Sequence, residues 1–176
     1  ADKIRDTDGI EKLKKMGLKT VMLTGDRESA ARKVSEIIGI DEFRSELLPE
    51  DKVSALEKLS ESHSCIFTGD GINDAPVLAL ADVGIAMGGI GSDAAIEAAD
   101  AVLMNDDLAK IPTAIKIARH TMKIIKENIV FSIAVKVIIM ALTVFGIASM
   151  WLAIFADVGV ALLAVLNSVR ALGIKE

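Results

Sequence analysis

Residues 65–76 read C-I-F-T-G-D-G-I-N-D-A-P, and the rest of the chain can be interpreted around this segment. The apolar run at its start predicts a short buried strand, because it contains an aromatic residue and ends in turn residues. The glycines on either side of Asp70 permit a sharp turn with no side chain in the way. Asn73, Asp74 and Pro76 are typical of the first residues of a helix. The segment therefore predicts a strand, a glycine turn and a helix.

A second segment repeats this pattern. Residues 21–26 read V-M-L-T-G-D, so that Thr24, Gly25 and Asp26 follow an apolar strand, and a helix is predicted over residues 28–38. In an open parallel sheet, ligands bind beyond the carboxyl ends of the strands, so both T-G-D endings should face one crevice. Carboxylates beside a helix N-terminus suit a Mg²⁺ ion and a phosphoryl group. The alternative is a capped turn in an ordinary α/β domain, and the repetition argues against it.

The composition joins two kinds of sequence. The chain has 176 residues, a formal net charge of −5 and 26% charged residues, yet 52% of its residues are hydrophobic. The hydrophobic excess lies beyond about residue 128. With no basic domain face and no tyrosine, nucleic acid is excluded as a partner. The single cysteine, Cys65, excludes an internal disulfide and fits a reducing compartment.

Short strands alternate with helices in the first part of the chain, which predicts βαβ units and a parallel sheet. The strands are expected at residues 19–23, 43–45, 65–67, 83–87 and 101–104. A predicted helix that begins at Pro49 carries Lys52 in its first turn, where a cation is mildly unfavourable against the helix dipole. Lys52 is either a solvated surface lysine or a cation directed at the anion beside the T-G-D turns.

The last third of the chain predicts a membrane hairpin. Residues 107–127 form a basic amphipathic helix, which is typical of a membrane surface. Residues 129–148 and 151–169 are each apolar over about the thickness of a bilayer. Basic residues flank both outer ends, so these ends and the soluble part are expected in the cytoplasm, with a short turn outside.

Each apolar segment contains one charged residue, Lys136 in the first and Asp157 in the second. An unpaired charge in mid-membrane costs about 3 kcal/mol or more, so each normally has a partner and a task. Helical rise brings the two within reach in an antiparallel pair. They are either a structural ion pair, or Asp157 binds a transported cation that Lys136 replaces when the site is empty. Gly159 is expected to allow close approach of a neighbouring helix.

These motifs together resemble the P-type cation-transporting ATPases over essentially the whole chain. T-G-D at residues 24–26, P-E-D-K at residues 49–52 and G-D-G-I-N-D-A-P at residues 69–76 occur in that family's order and spacing. The resemblance implies a haloacid-dehalogenase fold for the phosphorylation domain. It also implies that Thr24 holds the phosphoryl oxygens and that Lys52 neutralises their charge.

The resemblance further implies that Asp70 ligates Mg²⁺ and that Asp74 completes this metal site. Gly25, Asp26 and Asn73 are implied to help hold ATP or the phosphoryl group. Positioning and charge neutralisation are what phosphoryl transfer requires, so these roles fit the chemistry independently.

Two further segments are similar to the heavy-metal subgroup of this family. One is M-G-G-I-G-S-D-A-A-I-E at residues 87–97, and the other is Asn128-Ile129 ahead of Lys136 with Asp157-Val158-Gly159. The second is similar to zinc, cadmium and lead exporters, and implies Asp157 as a ligand of the transported metal with Lys136 as its counter-charge. A copper exporter would be expected to lack such intramembrane charges, which suits a soft monovalent ion.

Several parts of such a pump are not found in this sequence. The family's phosphorylated aspartate in D-K-T-G-T is absent, as are the nucleotide domain, the T-G-E motif, the cysteine motif and the amino-terminal metal-binding modules. The chain is therefore expected to be the carboxyl-terminal portion of a multi-pass pump of the cell membrane. It should lack the middle strand of the sheet and should not hydrolyse ATP alone.

The expected organisation is part of a haloacid-dehalogenase-like parallel sheet (residues 1–106), a basic linker helix (107–127) and a two-helix membrane hairpin (128–172). The expected partners are a divalent metal ion, ATP and Mg²⁺ held with the missing domains, membrane lipid and the rest of the pump. A soluble haloacid-dehalogenase phosphatase is a third class of function, and it fails on the membrane hairpin and the absent nucleophile. Two alternatives stay open: a non-catalytic membrane-anchored partner subunit and a fragment of a copper exporter.

Overall fold

The computed structural model describes residues 2–89, 93–105, 107–147 and 149–173. Residues 90–92 of the 87–97 motif, and residue 106 at the expected end of the first domain, lie outside the described residues. The chain divides into two compact units, Ala1–Pro112 and Thr113–Glu176. The predicted domain boundaries stay a prediction.

The first unit alternates strands and helices, as predicted. A short 3₁₀ turn, Ile72–Asp74, leads directly into its fourth helix. The elements are α1 (Asp2–Lys15), β1 (Val21–Leu23), α2 (Glu28–Ile38), β2 (Glu42–Arg44), α3 (Pro49–Ser60), β3 (Ile66–Gly69), α4 (Ala75–Leu80), β4 (Val83–Met87), α5 (Asp93–Ala98) and β5 (Ala101–Leu103).

The strands form two parallel ladders. β1 pairs with β2, with Val21 opposite Glu42. β3, β4 and β5 form the second ladder in that order, with Thr68 opposite Ile85. In the part of the chain that the structure describes, no ladder joins β1 to β3. The expectation that the sheet lacks its middle strand stays a prediction.

The core of the first unit lies where α4 and α5 cover the three-stranded ladder. Leu78, Ala86 and Ala95 are fully buried there, with Phe67 packed against them. Gly84 in β4 permits the closest approach, because a Cβ at this position would lie 2.4 Å from the Leu78 carbonyl oxygen. Any larger residue would push α4 away from the sheet.

The prediction of a buried strand at residues 65–67 is wrong in one respect. β3 starts at Ile66, whose side chain is 44% exposed, and only Gly69 at the end of the strand is buried. The reason is the topology: β3 pairs with β4 on one side only in the described residues. An edge position leaves the amino end of the strand open to solvent.

Asp41 joins the start of β1 to the end of α2. Its Oδ2 accepts hydrogen bonds from the Thr20 N–H at 2.9 Å and the Thr20 hydroxyl at 2.8 Å. Its Oδ1 lies 2.7 Å from Lys14 Nζ. The Lys14 ammonium and both Thr20 donors lower the pKa of Asp41 to about 2, from 3.8 in the absence of such partners.

We therefore expect Asp41 to contribute stability above pH 3.8 that is lost as the pH falls through about 2. Asp41→Asn should lower the thermal unfolding temperature at neutral pH, and its difference from the wild type should shrink below about pH 4. Unfolding of the purified protein, followed across that range, measures both effects. Lys12→Met on the same helix is the control and should keep the wild-type pH profile. A difference that stays constant down to about pH 2 would contradict the role of Asp41.

Two long helices, α6 (Lys110–Val144) and α7 (Met150–Ser168), make up most of the remaining chain, and a 3₁₀ turn (Val169–Gly173) follows α7. α6 contains most of the expected linker helix and the first apolar segment of the expected hairpin in one continuous helix. It runs without a break because neither glycine nor proline occurs between Pro112 and Gly146. Ser149 caps α7, since its hydroxyl oxygen accepts from the Leu152 N–H.

Both helices are long and apolar enough to cross a membrane. Within this unit, large apolar side chains such as Phe145, Trp151 and Phe155 are mostly exposed. Surface of this kind is stable in contact with lipid or with other membrane helices. The predicted close approach at Gly159 is not used within the described residues, because a Cβ there would meet no atom within 4 Å.

Candidate functional site

The T-G-D segment after β1 forms a closed turn. The Thr24 hydroxyl donates to Asp26 Oδ2 at 3.0 Å, and the Asp26 N–H donates to Thr24 Oγ1 at 3.1 Å. The Thr24 backbone bonds to Arg44 and Leu47 on the adjoining segment. A hydroxyl has one hydrogen to donate, so a phosphoryl oxygen would have to replace the Asp26 carboxylate as its acceptor. Gly25 and Asp26 are exposed.

The glycine turn after β3 is built around the buried side chain of Asp74. A Cβ at Gly69 would lie 2.8 Å from Asp74 Cβ and 3.1 Å from its Oδ2, so the residue there must be glycine. Asp70 and Asn73 are exposed on either side of this contact. Asp74 was expected to suit the start of the helix as a cap, but it makes no capping hydrogen bond to α4.

The Asp74 carboxylate instead pairs with Lys52 from the first turn of α3. Lys52 Nζ lies 2.7 Å from Asp74 Oδ1, and the two side chains are only 18% and 11% exposed. The interpretation of Lys52 as a solvated surface lysine is therefore wrong. Desolvation of both charges makes this pair costly to break, because either partner alone would be a buried, uncompensated charge.

The second oxygen of Asp74 stays accessible. Oδ2 has no hydrogen-bond partner among the described residues. Because every fully buried side-chain nitrogen or oxygen in that part of the chain has a partner, Oδ2 is not fully buried. The turn thus carries two carboxylates: Asp74 Oδ2, next to the Lys52 cation, and the exposed Asp70 four residues earlier in the chain. Carboxylate oxygens are what Mg²⁺ prefers, and this ion usually takes one or two of them and fills its shell with water and phosphate oxygens.

The donor set therefore fits Mg²⁺ but does not enclose it. In the described ranges, no group of three or more His, Cys, Asp or Glu residues could hold a metal ion. No hydrogen bond joins the closed turn of Thr24 and Asp26 directly to Asp70 or Asp74 in the same ranges. The structure brings Lys52 and Asp74 into direct contact, and it closes Thr24 and Asp26 on each other.

The two charged residues of the apolar helices meet. Lys136 Nζ lies 3.3 Å from Asp157 Oδ1, and the side chains are 69% and 68% exposed within this chain alone. They line a cleft of about 260 Å³ together with Val135, Ile139, Met140, Ala153, Ala156 and Val160. The predicted contact across the hairpin is therefore present, and the cleft around it has space for an ion.

Sequence reasoning missed a second polar contact between the same helices. Asn167 Nδ2 donates to Asn128 Oδ1 at 2.8 Å. The sequence prediction includes Asn128 only through the resemblance to zinc, cadmium and lead exporters, and it does not include Asn167. A signal was available, because side chains that carry both donors and acceptors are costly in apolar helices unless they find partners.

Comparisons with known proteins agree with this organisation. The family model of haloacid dehalogenase-like hydrolases matches residues 4–82. A zinc-transporting ATPase of Synechocystis sp. is 54% identical over 97% of this chain and 24% of its own length. A cadmium, zinc and cobalt-transporting ATPase of Bacillus subtilis is 52% identical over 100% of this chain and 26% of its own length.

A solved structure agrees as well. The crystal structure of a zinc-transporting PIB-type ATPase in its E2.Pi state superposes with a TM-score of 0.90 at 41% identity, over 93% of this chain and 27% of that one. The chain spans about a quarter of the length of the relatives it matches. With a haloacid-dehalogenase-like first unit and a charged apolar hairpin, the chain is similar over almost its whole length to about one quarter of the length of these zinc- and cadmium-transporting ATPases, which include a PIB-type ATPase.

Proposed function

We propose that this chain is the carboxyl-terminal portion of an ATP-driven exporter of divalent soft metal ions such as zinc, cadmium or lead. The observation that carries the proposal is the Lys136–Asp157 ion pair in the cleft of an apolar hairpin. Charged groups at this depth of a membrane helix typically serve an ion pathway. The names of the zinc- and cadmium-transporting relatives support the same class of substrate.

In this proposal, the first unit supplies the groups that hold Mg²⁺ and stabilise the phosphoryl group. Asp70 and Asp74 would ligate Mg²⁺, which neutralises negative charge during phosphoryl transfer. Lys52 fixes Asp74 and places a second cation beside it. Thr24, Gly25, Asp26 and Asn73 would contact the phosphoryl group or ATP, and the exposure of the last three leaves them accessible for that contact.

In the second unit, Asp157 would bind the transported ion. A divalent ion entering this cleft needs an anionic oxygen, and Asp157 is the acidic residue that lines it. Lys136, whose ammonium lies 3.3 Å from Asp157 Oδ1, would occupy the carboxylate when the ion has left. The pump would then cross the cell membrane several times, with its soluble part in the cytoplasm and lipid around the apolar helices.

Transport measurements test this proposal directly. The full-length pump, reconstituted in vesicles, should show ATPase activity stimulated by Zn²⁺, Cd²⁺ or Pb²⁺ and not by Cu⁺. Stimulation by Cu⁺ alone would favour a copper exporter. The coding DNA upstream of Ala1 distinguishes part of a pump from a separate partner subunit. An in-frame sequence for D-K-T-G-T identifies part of a pump, and a start codon without that sequence identifies a partner subunit.

Lys52→Ala in the full-length pump should lower phosphorylation from ATP about tenfold or more, equivalent to about 1.4 kcal/mol. The reason is that the substitution removes a buried cation and leaves Asp74 without its partner. Phosphoenzyme formation from radiolabelled ATP measures the effect. The matched control is Lys58→Ala, an exposed lysine in the last turn of the same helix. Equal phosphorylation by both variants would refute a role for Lys52.

A further inference from the structure

A polar network joins α6 and α7 at the end of the hairpin remote from its turn. Asn128 Nδ2 donates to the Ala164 carbonyl at 3.2 Å and to Ser168 Oγ at 3.0 Å. Asn128 Oδ1 accepts from Asn167 Nδ2 at 2.8 Å. One side chain of α6 therefore makes three hydrogen bonds to α7, which satisfies its amide group well.

The network continues to the neighbouring charged residues. Arg170 Nη1 donates to Asn167 Oδ1 at 2.7 Å and lies 3.4 Å from Glu127 Oε2. We refer to Glu127, Asn128, Asn167, Ser168 and Arg170 as the polar clasp. Asn167 lies at its centre, because it bonds to Asn128 through its amide nitrogen and to Arg170 through its amide oxygen.

The polar clasp and the Lys136–Asp157 pair lie in one antiparallel register. Lys136 follows Asn128 by about two turns, or about 12 Å, along α6. Asp157 precedes Ala164 by a similar distance along α7. Both spacings belong to the set that keeps residues on one face of a helix. The pair therefore meets at the position that the clasp defines.

Few other groups fix this register. The cleft between the helices is lined by small and aliphatic side chains apart from Lys136 and Asp157. In lipid such surfaces gain little from one alignment over another, because lipid tails are as apolar as the side chains. Hydrogen bonds are directional, so they form in one alignment of the two helices and are lost in another. A single buried asparagine can set the register of paired helices for this reason.

We propose that the polar clasp sets the register and rotation at which Asp157 meets Lys136, so that Asn128 is a positioning residue for the ion site. The proposal rests on the proposed function, because it assigns the purpose of this register to ion binding. Loss of the clasp would let α7 slide or turn against α6. Asp157 would then leave the cleft in part of the population.

The test uses Asn128→Leu in the full-length pump. Leucine keeps the approximate size of the side chain and removes all three hydrogen bonds to α7. The matched control is Ser132→Ala, one turn along α6, because the Ser132 hydroxyl bonds only to the Asn128 carbonyl of its own helix. If Asn128→Leu is not recovered from membranes, Ser168→Ala removes a single acceptor and should act in the same direction.

The first measurement is cross-linking of cysteine pairs across the hairpin. The in-register pair is Met140→Cys with Ala153→Cys, because each position lies one turn from the Lys136–Asp157 pair along its own helix. The out-of-register pair is Met140→Cys with Ala156→Cys, which shifts the α7 position by about one turn. With the clasp intact, the in-register pair should cross-link about threefold faster or more. Asn128→Leu should abolish this preference, and Ser132→Ala should keep it.

The second measurement is zinc dependence. Asn128→Leu should raise the zinc concentration for half-maximal ATPase activity about tenfold, with the KM for ATP unchanged. A cross-linking preference that survives Asn128→Leu would overturn the proposal, and so would a lost preference with unchanged zinc dependence. A wild-type pump that no divalent metal stimulates would overturn the proposed function instead. In that case the cross-linking result still decides whether the clasp sets the register.

Discussion

Replacing Asp70 by Asn in the full-length pump should reduce phosphoenzyme formation from ATP about a hundredfold or more, while the membrane helices stay folded. Asp70 follows directly after β3 and is exposed in the same turn that contains Asp74. An amide keeps the size of the side chain and loses the negative charge that would balance Mg²⁺. Phosphorylation by radiolabelled ATP, measured over a range of Mg²⁺ concentrations, gives the size of the loss.

A control for the same chemical change is available in the same ladder. Asp82 precedes β4, and its Oδ2 accepts the Cys65 N–H at 2.8 Å, beyond the amino end of β3. Asp82→Asn should therefore leave phosphorylation near the wild-type level. Wild-type phosphorylation by Asp70→Asn at ordinary Mg²⁺ would show that the G-D-G turn does not hold the metal.

The second large effect is expected at Asp157. Asp157→Ala should lower the zinc- or cadmium-stimulated ATPase activity about tenfold or more. The double variant Asp157→Ala/Lys136→Ala should show the same loss of activity. If Asp157 only paired with Lys136, the double variant would leave no uncompensated charge and should transport almost normally. If Asp157 is a ligand, no change at Lys136 restores the missing anionic oxygen. Lys136→Ala alone should be milder.

The measurement is metal-stimulated ATPase activity of the purified variants in vesicles. Ile139→Ala serves as the control, because this residue lines the same cleft and carries no atom that could ligate a metal. It reports the effect of enlarging the cleft by itself. Wild-type metal stimulation in the double variant would establish the ion pair as structural only.

Local chemistry in the sequence predicted most elements of the first unit. The helix predicted at residues 28–38 is α2 (Glu28–Ile38), and the strand predicted at 83–87 is β4 (Val83–Met87). Both are bounded by turn-forming residues, which act over a few positions. The change from basic to apolar composition along α6 marks a change of surroundings and does not break the helix, because only a residue such as glycine or proline would do so.

The candidate site was predictable in its residue types and not in its contacts. Lys52 in α3 and Asp74 in the 3₁₀ turn before α4 lie 22 positions apart, so only the packing of α3 against the glycine turn brings them together. The local pattern at Asp74 pointed to a helix cap, and the tertiary ion pair took its place. The contact of Lys136 with Asp157 was predictable, because counting back from the hairpin turn at about 1.5 Å per residue puts the two at depths that a lysine side chain can span.

The unbroken course of α6 also has a mechanical consequence. Within the second unit, which begins at Thr113, no glycine or proline interrupts α6 before it ends at Val144. Asn128 and Lys136 therefore turn together about the helix axis, because no joint lies between them. A rotation of α6 that moves the Lys136 ammonium away from Asp157 would also break the hydrogen bonds of Asn128 to α7. Uncovering of the carboxylate and opening of the polar clasp would then be a single event, and the hydrogen bonds of Asn128 would add to its cost.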